Sequence, residues 1–228
     1  MEVVLIRHGQ SGNNLIWEQT GGIAGRDPDS PLTDLGLAQA DALARWFARD
    51  ASAPRVTELH TSLMHRAVQT AAPLAETLDL PLLGHPEIFE VGGPYEEDEE
   101  TGARSWHPGT PMSALRALTS RLQHDPVDGG EVWWPGPFEE NAVAAERGRR
   151  VVESLIQPGA TEDPRVIALV THGFFTQFLI RALLGIGDMT GWIQIDNTAI
   201  SRFEIGRHGV VATALNGVSH LRPDQISS

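Results

Sequence analysis

The sequence contains no cysteine, which removes disulfides, thiolate metal sites and a cysteine nucleophile from consideration. Cations are scarce: 17 lysines and arginines face 30 aspartates and glutamates, a formal net charge of -13. Such a surface repels nucleic acid and anionic lipid, so neither nucleic acid nor membrane is expected as a partner. It also repels a phosphorylated molecule at long range, so a phosphate site would have to gather its cations locally. No apolar run approaches the roughly 20 residues of a membrane-spanning helix. No basic segment precedes the short apolar run at the N-terminus, as a secretory signal would require, and a cytoplasmic protein is expected.

What is present fits one α/β unit. The 228 residues suit a single domain spanning 1–228, with a cap inserted at about 92–138. Val3 to Ile6 and Val166 to Val170 are short continuous apolar runs, expected of strands covered on both faces. Val56 to Leu59 predicts another strand, and Ile193 to Leu215 alternates well enough for two or three more. Helices are predicted from Thr33 or Asp34 to about Arg49, from Met64 to Leu78 with Pro73 as a possible kink, and from Phe174 to Leu184. Strand and helix in this rhythm imply a three-layer α/β/α sandwich with a mainly parallel central sheet. The segment from Gly92 to Phe138 breaks the rhythm with glycines, prolines, the acidic run "EEDEE" and Trp106, Trp133 and Trp134. It is expected to cap the sheet and to carry a helix near Met112 to Gln123. The end of the chain from about Pro223 reads as a frayed tail.

Ligands of open parallel sheets bind at the carboxyl ends of strands. Two predicted strands end there on similar residues, Arg7-His8-Gly9 and Thr171-His172-Gly173. Arg66 follows a third strand exit and opens a helix, whose N-terminal amides add positive potential. Two arginines and two histidines around one crevice describe a site for a tetrahedral dianion, because a guanidinium meets phosphate oxygens in bidentate geometry. A histidine held neutral among arginines can attack phosphorus. An acid for the leaving oxygen is then required, and Glu87, Glu90 and Glu96 follow the next apolar stretch. No histidine spacing describes a metal site, and no cofactor is expected.

The blocks "LIRHGQS", "SLMHRAVQTA", "EIFEVGG" and "LVTHGFF", in this order, resemble the histidine phosphatase superfamily, also called the phosphoglycerate mutase-like family. The resemblance implies His8 as the nucleophile that becomes phosphorylated. It implies Arg7, Arg66 and His172 as phosphate-pocket cations, with Asn14 and Gly173 at the phosphoryl group and Glu90 as the proton donor. "PLTDLGLAQA" and "LNGVSHL" resemble two further blocks, and Glu139 and Arg147 a pair that supports structure. Arg104, His107 and Arg116 of the insertion are candidates to reach the leaving group. The expected activity is a metal-independent phosphomonoester hydrolase acting on a phosphorylated small molecule or, alternatively, a phosphoprotein. A cofactor-dependent phosphoglycerate mutase is the rival, disfavoured by the acidic insertion and a first loop poor in cations. A phosphoprotein-binding or regulatory module on the same fold is the other alternative.

Overall fold

The computed structural model describes residues 1–98, 100–124, 129–134, 136–156, 164–187 and 191–228. In chain order these form β1 (Glu2–Arg7), α1 (Gly12–Thr20), α2 (Asp34–Arg49), β2 (Glu58–Thr61), α3 (His65–Leu78) and β3 (Leu82–Gly84). Then come β4 (Tyr95–Glu97), β5 (Arg104–Trp106), α4 (Met112–Leu118), β6 (Leu122–Gln123) and α5 (Asn141–Leu155). The last elements are β7 (Val166–Thr171), α6 (Gly173–Leu184), β8 (Ile200–Gly206), β9 (Gly209–Gly217) and a 3-10 turn at Pro223–Gln225.

The central sheet has the order β6-β3-β2-β7-β1-β8-β9. Pairing is parallel from β6 through β1 and antiparallel across β1, β8 and β9. Side chains on a strand alternate between faces, and β1 divides its residues accordingly. Val4 and Ile6 join one core with Leu43 of α2, Ala67 and Leu74 of α3 and Met112 of α4. Val3 and Leu5 join the other with Val151 of α5 and Phe175 and Leu179 of α6. The result is a mainly parallel sheet between two helical layers, an α/β fold.

Several local expectations are met and several corrected. Thr33 caps α2, its hydroxyl accepting a hydrogen bond from Gly36 N–H. α3 runs through Pro73 without ending there. The helix expected over Met112 to Gln123 stops at Leu118. Thr119 is extended, and Leu122–Gln123 instead pair in parallel with β3 as the sheet edge. Two strands follow Ile193 among the described residues, within the two or three expected. The supposed frayed tail is ordered: Gln225 is buried, Gln225 O accepts from Gln39 Nε2 at 2.7 Å, and Ser227 O accepts from Asn197 N–H at 2.8 Å. Its polar composition hid the fact that buried polar partners await it. The segment read as a cap holds the β4–β5 hairpin and α4. Within it, Glu99, residues 125–128 and Pro135 lie outside the described residues.

Candidate active site

β1 and β7 are parallel neighbours with Arg7 opposite Thr171, and His8 N–H donates to Thr171 O at 2.9 Å. That register sets the next residue of each strand side by side, and the rings of His8 and His172 lie 5.0 Å apart. His8 Nδ1 is 2.7 Å from Gly9 O. A carbonyl only accepts, so Nδ1 carries the ring proton and Nε2 presents its lone pair. Arg66 Nε, from the first turn of α3, donates to that Nε2 at 3.1 Å. Burial first, then the positive Arg66 and Arg7, hold the His8 imidazole well below its ordinary value, so it is neutral at neutral pH.

A cleft of about 200 Å³ opens over this group, bordered by Arg7, His8, Asn14, Trp17, Arg26, Arg66 and Glu90 among others. Arg7 Nη1 donates to Ile195 O at 2.6 Å, which fixes the guanidinium. Burial lowers Arg7 to about 10, still charged at neutral pH. Arg7 Nε and Arg66 Nη1 are buried donors without a hydrogen-bond partner among the described residues, Arg66 Nη1 lying 3.9 Å from Asp29 Oδ1. Such groups are costly to leave unsatisfied, and two of them beside a neutral imidazole suit an anion. Glu90 is clamped at the start of α6: Oε1 accepts from Val91 and Phe175 N–H, both at 2.9 Å, and Oε2 from Phe174 N–H at 3.2 Å. A second depression of about 220 Å³ adjoins the first, sharing Arg7, Asn14, Trp17 and Glu90 and adding Gly173, Phe174, Trp192, Gln194, Ile195 and Ser228.

The nucleophile loop is held by backbone contact. A Cβ on Gly36 would stand 2.1 Å from Gln10 O, and one on Gly9 would stand 2.6 Å from Gly36 O. Both must therefore be glycine for α2 to seat against the loop. Thr70 Oγ1 of α3 accepts from Gly9 N–H at 3.0 Å, and Gln39 Oε1 of α2 accepts from Gln10 N–H at 2.8 Å. Behind His8, Asn197 Nδ2 and Thr198 N–H both donate to His8 O at 3.2 Å.

Residues 3–217 match the family model described as "Histidine phosphatase superfamily (branch 1)". The chain belongs to the histidine phosphatase superfamily. A curated relative, the probable phosphoglycerate mutase GpmB of Yersinia pestis, is 25% identical over 208 residues, 90% of this chain and 85% of its own. Among solved structures, a phosphoserine phosphatase variant from Entamoeba histolytica in complex with phosphoserine matches with TM-score 0.60 and 22% identity, covering 97% of this chain and 99% of that one. A mycobacterial glucosyl-3-phosphoglycerate phosphatase complexed with VO3 matches with TM-score 0.61 and 21% identity, covering 95% and 99%. Both structural likenesses speak for the fold.

Of the residues singled out from the histidine phosphatase motifs, Arg7, His8, Asn14, Arg66 and Glu90 border the first cleft, and Gly173 borders the second. A Cβ on Gly173 would lie 3.1 Å from Arg7 Nε, a tight contact that would press on that guanidinium. His172 is fully buried behind the cleft, its Nε2 2.8 Å from Ser62 Oγ. Asn14 Oδ1 accepts from Ser11 N–H, Ser11 Oγ and Asn197 Nδ2, which leaves its amide hydrogens for the cleft. Glu87 faces away and pairs with Arg150 at 3.0 Å. Glu96 lies exposed on β4.

Arg104, His107 and Arg116 do not border either depression. Arg104 pairs with Glu97 and lies over the Phe138 ring, His107 Nδ1 accepts from Gly109 N–H, and Arg116 donates to His124 O. The first loop is not poor in cations where it matters, since its Arg26 borders the cleft and donates to Tyr95 Oη at 3.0 Å. Sequence reading passed over Arg26, Asn197 and Thr198. The one signal for Arg26 was an arginine alone in a glycine-rich loop. For the other two it was the polar "DNT" between apolar runs. Thr198 itself sits at φ 58, a backbone position that threonine rarely takes.

Proposed function

We propose that the protein hydrolyses phosphomonoesters through a phosphohistidine on His8, with Glu90 as proton donor and no metal. The observation that carries this reading is the neutral His8 Nε2, facing a cleft that also holds Arg7, Arg66 and Glu90. In the first step Arg66 Nε–H turns from Nε2 to a phosphoryl oxygen, the freed Nε2 lone pair attacks phosphorus, the bond from phosphorus to the ester oxygen breaks, and Glu90 gives that oxygen a proton. In the second, Glu90 takes a proton from water as its oxygen attacks phosphorus. The P–N bond then breaks, releasing inorganic phosphate and restoring Nε2. Arg7 and Arg66 meet the charge on the equatorial oxygens, as fixed cations do in phosphoryl transfer. His172, with Nδ1 buried and without a hydrogen-bond partner among the described residues, is assigned a supporting contact to the same group. The substrate class is a small phosphorylated molecule.

One observation favours the mutase reading: Arg26 at the cleft supplies a third guanidinium that a phosphoglycerate carboxylate would use. The deciding experiment measures phosphate release from a phosphomonoester panel in EDTA, beside isomerisation of 3-phosphoglycerate primed with 2,3-bisphosphoglycerate. Release without isomerisation is expected, and isomerisation with little release would make the mutase correct. His8→Ala should abolish turnover and the acid-labile phosphoenzyme. Glu90→Gln should lower kcat/KM, which reports the first step, by about 10² or more for poor leaving groups while sparing good ones, and an equal loss in kcat/KM for both would sink the acid role.

A further inference from the structure

The two depressions divide the reacting molecule between them. His8 and Arg66 border only the first, which therefore takes the phosphoryl group. An in-line displacement sends the leaving oxygen away from His8, and Glu90 stands at the boundary shared by both depressions. The second depression thus offers the leaving alcohol a place beside the proposed acid.

Its lining is mixed: the aromatic Trp17, Phe174 and Trp192 and the apolar Ile195 stand among the polar Arg7, Asn14, Glu90, Gln194 and Ser228. Trp17 and Trp192 are 58% and 60% exposed, unusual for tryptophan in a chain with a full core. Trp192 stands edge-on to Phe174, ring centroids 4.9 Å apart, and Phe174 N–H donates to Glu90. The platform and the proposed acid are therefore fixed by the same helix end. The charges there argue against a second anion. Among the described residues Arg7 is the one cation bordering this depression; Glu90 borders it too, while Arg66, Asp196 and Glu18 act on Arg7 from outside its lining. With Arg7 committed to the phosphoryl group, a carboxylate on the leaving group would face those acids unpaired.

We propose that the second depression binds the leaving alcohol through an uncharged planar or apolar body laid against Trp192 and Trp17, which makes the substrate an arylalkyl-type phosphomonoester. This rests on the hydrolase reading above. Arg26, bonded to Tyr95, borders the first cleft and not the second, and its charge acts on Arg66.

The test compares alcohols of similar acidity, so that intrinsic reactivity does not decide: 2-(1-naphthyl)ethyl phosphate, propyl phosphate and 3-phosphoglycerate. The naphthylethyl ester should show the highest kcat/KM for phosphate release. Trp192→Ala should lower the naphthylethyl-to-propyl ratio roughly five- to tenfold, Trp17→Ala should lower it in the same direction, and Trp192→Phe should keep most of it. A ratio near one, or one unmoved by these variants, would overturn the subsite while leaving the hydrolase standing. Preference for 3-phosphoglycerate, lost in Arg26→Ala, would overturn it too and place the leaving group in the first cleft. No phosphate release and no phosphohistidine from any ester would overturn both readings.

Discussion

At the scale of single residues, the site turns on the protonation state of one imidazole. His8 donates through Nδ1 to its own loop and is hemmed in by two guanidiniums, so protonation would add a third buried positive charge beside them. Its titration should therefore be absent from the ordinary histidine range. Followed by NMR, the His8 ring is expected to stay neutral from pH 8 down past pH 6. Arg66→Met, which removes one of the two neighbouring charges, should bring its titration up toward 6.5. A wild-type midpoint near 6.5 would contradict the neutral-nucleophile assignment. The grouping of Arg7, His8 and Arg66 was legible in the sequence because each follows a strand that delivers it to one edge of the sheet, whereas Glu90 was set apart from Glu87 and Glu96 only by the family resemblance. Arg26 was not legible, because its place depends on how an aperiodic loop folds over Tyr95 from a distant part of the chain.

At the scale of elements, α5 carries no residue of the cleft yet fixes the strand exit that does. Arg147 is buried between the rings of Phe89 and Phe175, 3.7 and 3.8 Å from their centroids. It meets Glu139 through two bonds of 2.8 and 2.6 Å and donates to the carbonyls of Glu87 and Phe89. One side chain thereby holds the segment that presents Glu90. Breaking a buried pair strands the remaining charge, so Glu139→Gln should cost about 3–5 kcal/mol in urea unfolding. A loss below about 1 kcal/mol would show that water or a neighbour replaces the carboxylate. Elements with a clear cap and an apolar stripe, α2 above all, were readable in advance. α4 was overextended because Met112, Leu115, Leu118 and Leu122 keep a helical spacing across its end. The residues beyond Thr119 are claimed by the sheet edge instead, a long-range pairing that local spacing does not reveal.

At the scale of the whole molecule, His8, His60, His85, His172 and His220 are held below their ordinary value, all chiefly by burial. His85 and His220 fall to about 4, His8 and His172 lie well below 6.5, and His60 is lowered. Each is neutral in the native chain while the unfolded chain binds a proton below about pH 6.5. Their stabilising effect is thus fully present above that pH and is lost as pH falls toward the folded values. For each fully neutral histidine the slope approaches about 1.4 kcal/mol per pH unit. The urea midpoint should drop between pH 7 and pH 5, before most carboxylates titrate, with net proton uptake on unfolding. A midpoint that stays level over that interval would mean the buried imidazoles protonate in place. The sandwich itself was legible because buried parallel strands write continuous apolar runs. The seating of the last residues was not, because Gln39, Asn197 and Ser227 meet only once the sheet has formed.

That seating has a practical side. Ser228 borders the second depression, and its N–H donates to Glu18 Oε1 at 3.2 Å. Anything joined to the chain after it emerges at the mouth through which the leaving alcohol would pass. Met1 precedes β1 at the far end of the strand from Arg7, about 20 Å of extended chain away. An affinity handle or an immobilising tether placed before Met1 leaves that mouth open. The same handle placed after Ser228 would act as an obstruction and distort every substrate comparison made with it.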